Sequence, residues 1–351
     1  MSRLTTLMAL AAFCAGSAAS LAAEGPTSTR AGAEERKLRK EATKTAERTP
    51  GIPPGGMPKP PDQIHWIVEP ARKLPPGVEH GAFLSKAMKT QVGYCVYRPP
   101  AYEAGTERYP VIYWLHGIGG NETKGLAIAA KLHEAILAGQ VPPMMMVLPN
   151  GGQFTFYCDS ADGKILSETV IIKELIPHID AGYRTIASRN GRAVEGSSMG
   201  AFGAAHLGLK YPELFCSVLS GSPAILTPEV FASHMPEVYR MLFSADAKAC
   251  QAQSPYALAE KNAEAIRRNL TIMLAGGTRD WAFCYGENFH KHLEELKIPH
   301  RYEVVQGAGH GQAGYYRGLG PAEIFNFHAK AFGLKVPAAG PTSLPTSKAK
   351  K

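Results

Sequence analysis

The chain alternates short apolar runs with longer stretches in which apolar residues recur at helical spacing. Short continuous apolar runs are typical of strands buried on both faces, and they predict strands at 111–115, 144–148, 192–195, 216–220, 270–275 and 302–305. Helical spacing predicts helices at 125–138, 167–183, 287–296 and 321–332, and we expect Pro177 to kink the second of these. Because strands alternate with helices, we predict an α/β fold with a mostly parallel central sheet and helices on both faces.

The segments on either side of this region differ from it in composition. Residues 1–23 combine Arg3, a short apolar run and small residues, which predicts a secretory signal peptide rather than a membrane anchor. Residues 24–63 are basic and then rich in Pro and Gly, which predicts a disordered linker. We predict that residues 64–335 form one folded domain, opening with antiparallel strands at 78–84 and 91–98, and that 336–351 form a disordered tail.

The formal net charge of +8 does not indicate a nucleic-acid surface, because the charge sits at the chain ends. Residues 30–48 carry a net +3, residues 348–351 a further +3 and Arg3 one more. The remaining chain is close to neutral, so we predict no nucleic-acid partner and no membrane insertion.

Five cysteines remain after a signal peptide is removed. Cys95 and Cys216 lie in strand-like runs and are predicted to be buried thiols. Cys250 and Cys284 lie in loop-like regions and are weak candidates for a disulfide. No Cys or His spacing is typical of a metal site, and we predict neither a metal nor a cofactor.

Residues 196–200 read Gly-Ser-Ser-Met-Gly and match the motif G-x-S-x-G. A strand-like stretch precedes the motif, and a run of small, helix-compatible residues follows it. In that context the motif is typical of the nucleophile elbow of an α/β-hydrolase, a tight turn that lifts the serine above the sheet. We therefore predict Ser198 as the nucleophile.

Two later loops supply the acid and the base that a serine nucleophile needs. Asp280 and His310 each follow a predicted strand, and both are framed by glycines. The order Ser, Asp, His along the chain is the one this fold requires. Asp246 and Glu287 are alternatives for the acid, but neither ends a predicted strand. We predict Ser198, Asp280 and His310 as the catalytic triad.

A tetrahedral intermediate needs backbone N–H donors aimed at its oxyanion. Met199, the residue after the nucleophile, is predicted to give one of them. The loop 116–120 is predicted to give the other, from Ile118 or Gly119. We expect His116 to shape this loop rather than to act as a base.

Aromatic residues near the predicted site indicate where a substrate pocket could lie. The run 153–160 is rich in aromatic residues, and Trp281 stands beside the proposed acid. We predict Tyr157, Asp159 and Trp281 as substrate-binding residues, with core packing as the alternative for such side chains. Residues 223–262 lack a clear alternating pattern and are expected to form an insertion over the site.

Taken together, four segments resemble the esterase D-like family of α/β-hydrolases, nearest to its secreted feruloyl and acetylxylan esterases. They are the loop 116–120, the segment 174–177, the elbow 196–200 and the sequence Tyr-Pro-Glu-Leu-Phe at 211–215. The resemblance covers about residues 78–332 and implies the same triad. The chain differs from many members at Ser197 and Ala201, which flank the elbow and bear on pocket shape.

The resemblance implies a secreted or periplasmic serine esterase that forms an acyl-enzyme. Its expected substrate is a small-molecule or polysaccharide ester carrying feruloyl or acetyl groups. The alternatives are an acyltransferase of the mycolyltransferase type, a siderophore esterase of the enterochelin type, or a catalytically silent binding module. The sequence does not indicate an oligomeric state.

Overall fold

The computed structural model describes residues 52–53, 56–71 and 73–337. The predicted signal peptide, most of the predicted linker and most of the predicted tail lie outside these residues. The described strands are β1 (Val78–Ser85), β2 (Thr90–Tyr97), β3 (Val111–Leu115), β4 (Met145–Pro149), β5 (Arg192–Ser197), β6 (Ser217–Gly221), β7 (Thr271–Gly277) and β8 (Arg301–Val305).

The strands form one eight-stranded sheet in the order β1-β2-β4-β3-β5-β6-β7-β8. The pairs β1–β2 and β2–β4 are antiparallel, and every later pair is parallel. The predicted α/β-hydrolase architecture, a mostly parallel sheet covered on both faces, is therefore confirmed. In such a sheet the loops at the carboxyl ends of neighbouring parallel strands meet at one edge.

The helices pack on both faces of the sheet. They are α1 (Leu126–Leu137), α2 (Ser167–Thr169), α3 (Ile176–Gly182), α4 (Met199–Lys210), α5 (Pro228–His234), α6 (Pro236–Phe243), α7 (Ala247–Gln253), α8 (Pro255–Asn269), α9 (Phe283–Glu295), α10 (Gln312–Leu319) and α11 (Pro321–Ala331). The helix predicted at 167–183 exists, but a π-helical stretch, Val170–Leu175, joins its two α-helical parts. This wider turn precedes Pro177, whose ring nitrogen cannot donate to the helix ladder.

Strand β3 shows how the sheet divides the core. Val111, Tyr113 and Leu115 pack into the larger apolar cluster with α4 and the segment 223–269. The intervening Ile112 and Trp114 pack into the second cluster with α1 and α11. All five side chains are buried, so the continuous apolar run reflects the two buried faces of a central strand.

Cys95, Cys158, Cys216 and Cys250 are free thiols in this fold. Cys95 and Cys216 are buried as predicted. Burial raises the pKa of Cys95 to about 12 and that of Cys216 to about 11, which makes both poor nucleophiles. Cys250 is a free thiol buried within α7, so the candidate bridge between Cys250 and Cys284 is not formed.

None of the helices in the described part of the chain combines the length and the apolar character needed to cross a membrane.

Candidate active site

The predicted elbow joins β5 to α4. Ser198 has φ 62° and ψ −117°, a strained conformation for a residue with a side chain. Both glycines of the motif are sterically required. A Cβ on Gly196 would lie 2.1 Å from the Gly200 carbonyl oxygen, and a Cβ on Gly200 would lie 2.1 Å from the Leu115 carbonyl oxygen. The turn therefore brings the strand, the helix and β3 together beneath the serine hydroxyl.

The structure brings the three predicted triad residues into one hydrogen-bonded line. The Ser198 hydroxyl donates to His310 Nε2 across 2.8 Å, and His310 Nδ1–H donates to Asp280 Oδ1 across 2.6 Å. Asp280 also accepts from the Ala282 backbone N–H at 2.8 Å, which fixes the carboxylate. The Asp280 side chain is 1% exposed and that of His310 25%, so the base reaches solvent while the acid does not. This arrangement orients the imidazole for proton transfer.

The oxyanion donors are restricted by the hydrogen bonds already made. Gly119 N–H donates to the Gln153 carbonyl at 2.7 Å, so it is not available, and the prediction of Gly119 as a donor is wrong. Ile118 N–H makes no hydrogen bond to another described residue, and Met199 N–H is the first, unpaired donor of α4. Met199 and Ile118 therefore remain the candidate donors.

His116 holds the oxyanion loop as a neutral side chain. Gly151 N–H donates to His116 Nε2 at 3.2 Å, so the ring proton is on Nδ1, which donates to the Gly117 carbonyl at 2.9 Å. Burial lowers the pKa of His116 from its usual 6.5 to about 4, so the ring is neutral at neutral pH. This geometry supports the expectation that His116 shapes the loop and is not a base.

Glu122 fixes the other end of the same loop. Its fully buried carboxylate accepts from Val68 N–H at 2.7 Å and from the Asn150 side-chain amide at 2.7 Å. His80 Nε2 lies 3.3 Å from the same carboxylate. Glu122 thus links the oxyanion loop to the amino-terminal segment and to the end of β4. The sequence analysis missed this residue, since nothing in the sequence distinguishes it from a surface glutamate.

A cavity of about 330 Å³ opens beside the catalytic serine. Its lining is mainly apolar, and none of the described residues that line it is Lys, Arg, Asp or Glu. The large apolar side chains in the lining are Met57, Ile118, Phe156, Met199, Leu226, Met235 and Trp281. The cavity therefore suits an uncharged apolar group attached to the reacting carbonyl.

The three predicted substrate-binding residues have different positions. Trp281 lines the cavity, and its ring lies 4.6 Å from that of His310. Tyr157 is fully buried outside the lining, and its hydroxyl donates to the His116 carbonyl at 3.1 Å. Asp159 also lies outside the lining, where it accepts from the Thr169 backbone N–H and hydroxyl at 3.0 and 2.6 Å. The structure thus gives Tyr157 and Asp159 supporting roles rather than substrate contacts.

Residues that the sequence analysis missed complete the cavity. Phe156 lines it with a φ of 50°, a strained backbone position next to the oxyanion loop. Leu226 and Met235 come from the segment 223–262, which covers the site as expected. The lack of a repeating pattern in that segment was the only signal for them.

No metal site is apparent in the described ranges, where no group of three or more His, Cys, Asp or Glu side chains could hold an ion.

An eight-stranded mixed sheet that carries a serine after β5, an aspartate after β7 and a histidine after β8 defines an α/β-hydrolase with a serine nucleophile. The sequence profile of the family described as "Putative esterase" matches residues 85–324, and the chain belongs to that family.

Curated relatives match parts of the chain. An esterase of Mycobacterium tuberculosis (strain CDC 1551 / Oshkosh), MT1326, is 36% identical over 148 residues, which are 41% of this chain and 32% of the relative. An endo-1,4-beta-xylanase/feruloyl esterase of Xylanibacter ruminicola is 32% identical over 195 residues, 52% of this chain and 24% of the relative. The chain therefore spans a third or less of the length of these relatives.

Solved structures share the fold. A ferulic acid esterase superposes with a TM-score of 0.62 at 23% identity, covering 72% of this chain and 98% of that one. An S-formylglutathione hydrolase from Agrobacterium tumefaciens superposes with a TM-score of 0.60 at 19% identity, covering 73% and 95%. At these identities the likeness concerns the fold alone.

Proposed function

We propose that the chain is a secreted or periplasmic serine carboxylic-ester hydrolase that acts on acyl esters of polysaccharides through an acyl-enzyme. The observation that carries this proposal is the line of hydrogen bonds from Ser198 through His310 to Asp280. Membership of an esterase family supports it. The relative whose name combines xylanase and feruloyl esterase supports the choice of substrate. Secretion rests on the composition of residues 1–23.

The geometry suits a two-step reaction. Ser198 Oγ bonds to the ester carbonyl carbon while its proton passes to His310 Nε2. The N–H groups of Met199 and Ile118 stabilise the oxyanion, at about 3 to 4 kcal/mol for each donor. The bond between carbonyl carbon and alkoxy oxygen then breaks, and the alcohol leaves with the proton from His310. Water repeats these steps on the acyl-enzyme, releasing the acid and restoring the serine.

The volume and the lining of the cavity indicate which acyl group the enzyme accepts. Its volume of about 330 Å³ and its apolar lining fit an aromatic or aliphatic acyl group. An anionic siderophore would favour cationic side chains, and the part of the lining that the structure describes includes no Lys or Arg. Feruloyl esters are therefore preferred over siderophore lactones. A sugar alcohol as acceptor in place of water would make the protein an acyltransferase.

The test compares the wild type with Ser198→Ala on p-nitrophenyl acetate, methyl ferulate and acetylated xylan. We expect the variant to lose at least about 10³-fold in kcat. Ser220→Ala is the matched control, because it removes another buried hydroxyl, one that donates to the Ala201 carbonyl at 3.0 Å. Equal activity of wild type and Ser198→Ala would reject the proposal. Transfer products formed with an added alcohol would favour the acyltransferase.

A further inference from the structure

One wall of the cavity is formed by residues that precede the first strand of the sheet. Pro53, Gly56, Met57 and Pro58 line it, whereas its other lining residues all lie between 117 and 312. These four residues precede the first strand of the sheet and lie outside the segment matched by the family profile. Within this segment Gly56 N–H donates to the Pro53 carbonyl at 3.0 Å, and Gly56 has φ +83°, a backbone conformation that favours glycine.

The segment is tied to the domain close to the cavity. Lys59 Nζ lies 3.3 Å from Glu237 Oε1, and Glu237 is two residues from the cavity-lining Met235. This ion pair is exposed and contributes little stability. The firmer attachment follows at Trp66, which is buried against Val92 and Val170.

The same attachment reaches the oxyanion loop. Gly93 N–H donates to the Trp66 carbonyl at 2.7 Å. His65 N–H donates to the side chain of Gln153 at 3.2 Å, and the Gln153 carbonyl in turn accepts from Gly119 N–H at 2.7 Å. Residues 65 and 66 are therefore fixed against the sheet and the oxyanion loop, and they anchor the chain that leads back to Met57.

Met57 carries the longest side chain of the four lining residues. It is half-buried and packs against the main apolar core, whereas its neighbours Gly56 and Pro58 are exposed. The unbranched thioether adapts to irregular apolar surfaces, as does that of Met235 in the same cavity. A group bound in the cavity would therefore contact the Met57 side chain. A substitution at this position would change the space that is available to that group.

We propose that Met57 is a specificity-determining residue that sets the size of the apolar acyl group the cavity accepts. The inference rests on the proposed esterase function and adds to it a determinant outside the α/β sheet. Shortening this side chain enlarges the cavity and favours longer acyl groups, whereas a bulkier side chain excludes them. The triad and the oxyanion donors themselves are not altered by these substitutions.

The test uses the full chain and p-nitrophenyl esters of two, four, eight and ten acyl carbons. For Met57→Ala we expect the ratio of kcat/KM for the eight-carbon ester to that for the two-carbon ester to rise roughly tenfold. For Met57→Trp we expect the ratio to fall by a similar factor. Met241→Ala is the matched control, since Met241 is also half-buried against the main core but does not line the cavity.

The outcomes separate the two proposals. If Ser198-dependent hydrolysis is present but both Met57 variants keep the wild-type ratio within twofold, Met57 is not a determinant and the esterase proposal stands. If Met241→Ala shifts the ratio as much as Met57→Ala, the effect is general loosening and the inference is overturned. If no ester is hydrolysed in a Ser198-dependent way, both proposals fail.

Discussion

Acidification from pH 7 to pH 5 should destabilise the fold through His116. The ring is fully buried, and its pKa is about 4 in the folded chain against a usual 6.5. Below pH 6.5 the unfolded chain therefore takes up a proton at this position that the folded chain does not accept until about pH 4. Stability due to His116 is complete above pH 6.5 and is lost as the pH falls through this window.

The size of the effect follows from the two pKa values. One pKa unit corresponds to about 1.4 kcal/mol, so the full loss is about 3 kcal/mol, of which about 2 kcal/mol falls between pH 7 and pH 5. That is a sizeable share of the roughly 5 to 15 kcal/mol that stabilise a typical domain. The physical cause is burial, which removes the ring from water and disfavours its charged form. The Gly151 N–H, which donates to His116 Nε2, also occupies the nitrogen that would take the second proton.

The assay is urea unfolding of the wild type and His116→Gln at pH 7 and pH 5. The glutamine amide oxygen can accept from Gly151 N–H but gains no proton in this range. We expect the free energy of unfolding to fall by about 2 kcal/mol more in the wild type than in the variant. Parallel losses, differing by less than about 0.5 kcal/mol, would refute the assignment of a neutral buried imidazole at this site.

Three further changes test the site and its support. Asp280→Asn should lower kcat by about 10⁴-fold in ester hydrolysis, because the amide favours the wrong tautomer of the catalytic histidine. Gly200→Ala should cost about 1 to 3 kcal/mol in thermal or urea unfolding, since the new Cβ would lie 2.1 Å from the Leu115 carbonyl oxygen. Glu168→Ala should cost about 3 to 5 kcal/mol, because it leaves His206 and Lys210 without their buried carboxylate partner.

Each of these has a control and an outcome that contradicts it. An Asp280→Asn enzyme within tenfold of wild-type kcat would mean that another acid orients the base. Gly182→Ala, where a Cβ meets nothing within 4 Å, should leave stability unchanged, and an equal loss at both glycines would contradict the steric argument. Glu264 forms an exposed pair with Arg268, so Glu264→Ala should cost at most about 1 kcal/mol. A loss at Glu168 no larger than that would count against a buried network.

The sheet was predictable from the sequence because its central strands are buried on both faces. An uninterrupted run such as 111–115 leaves few alternatives to a central strand. The four helices between 228 and 269 were not predicted, and for three of them the reason lies in the first residue. Pro228, Pro236 and Pro255 each stand at the start of a helix, where proline is favoured, yet in a sequence they indicate an interruption.

The residues of the candidate site were likewise only partly predictable from the sequence. The motif around Ser198 and the loops after β7 and β8 were sufficient to choose the three residues that the structure brings together. The sequence was not sufficient to choose the oxyanion donor, because it does not show that Gly119 N–H donates to the Gln153 carbonyl. The sequence also could not show that the Tyr157 hydroxyl donates to the His116 carbonyl. A run of aromatic residues is equally typical of a substrate pocket and of the buried residues that support one.

The cavity wall formed by Pro53 and residues 56–58 has an evolutionary consequence. The matched family segment begins at residue 85, so this part of the cavity lies in a stretch that the family pattern does not constrain. Recombination or drift in this short proline- and glycine-rich stretch would change the cavity wall. The sheet and the catalytic triad would stay the same. Two esterases with the same sheet and triad can then differ in the ester substrates that they accept. The difference would lie in sequence that alignments of the catalytic domain leave out.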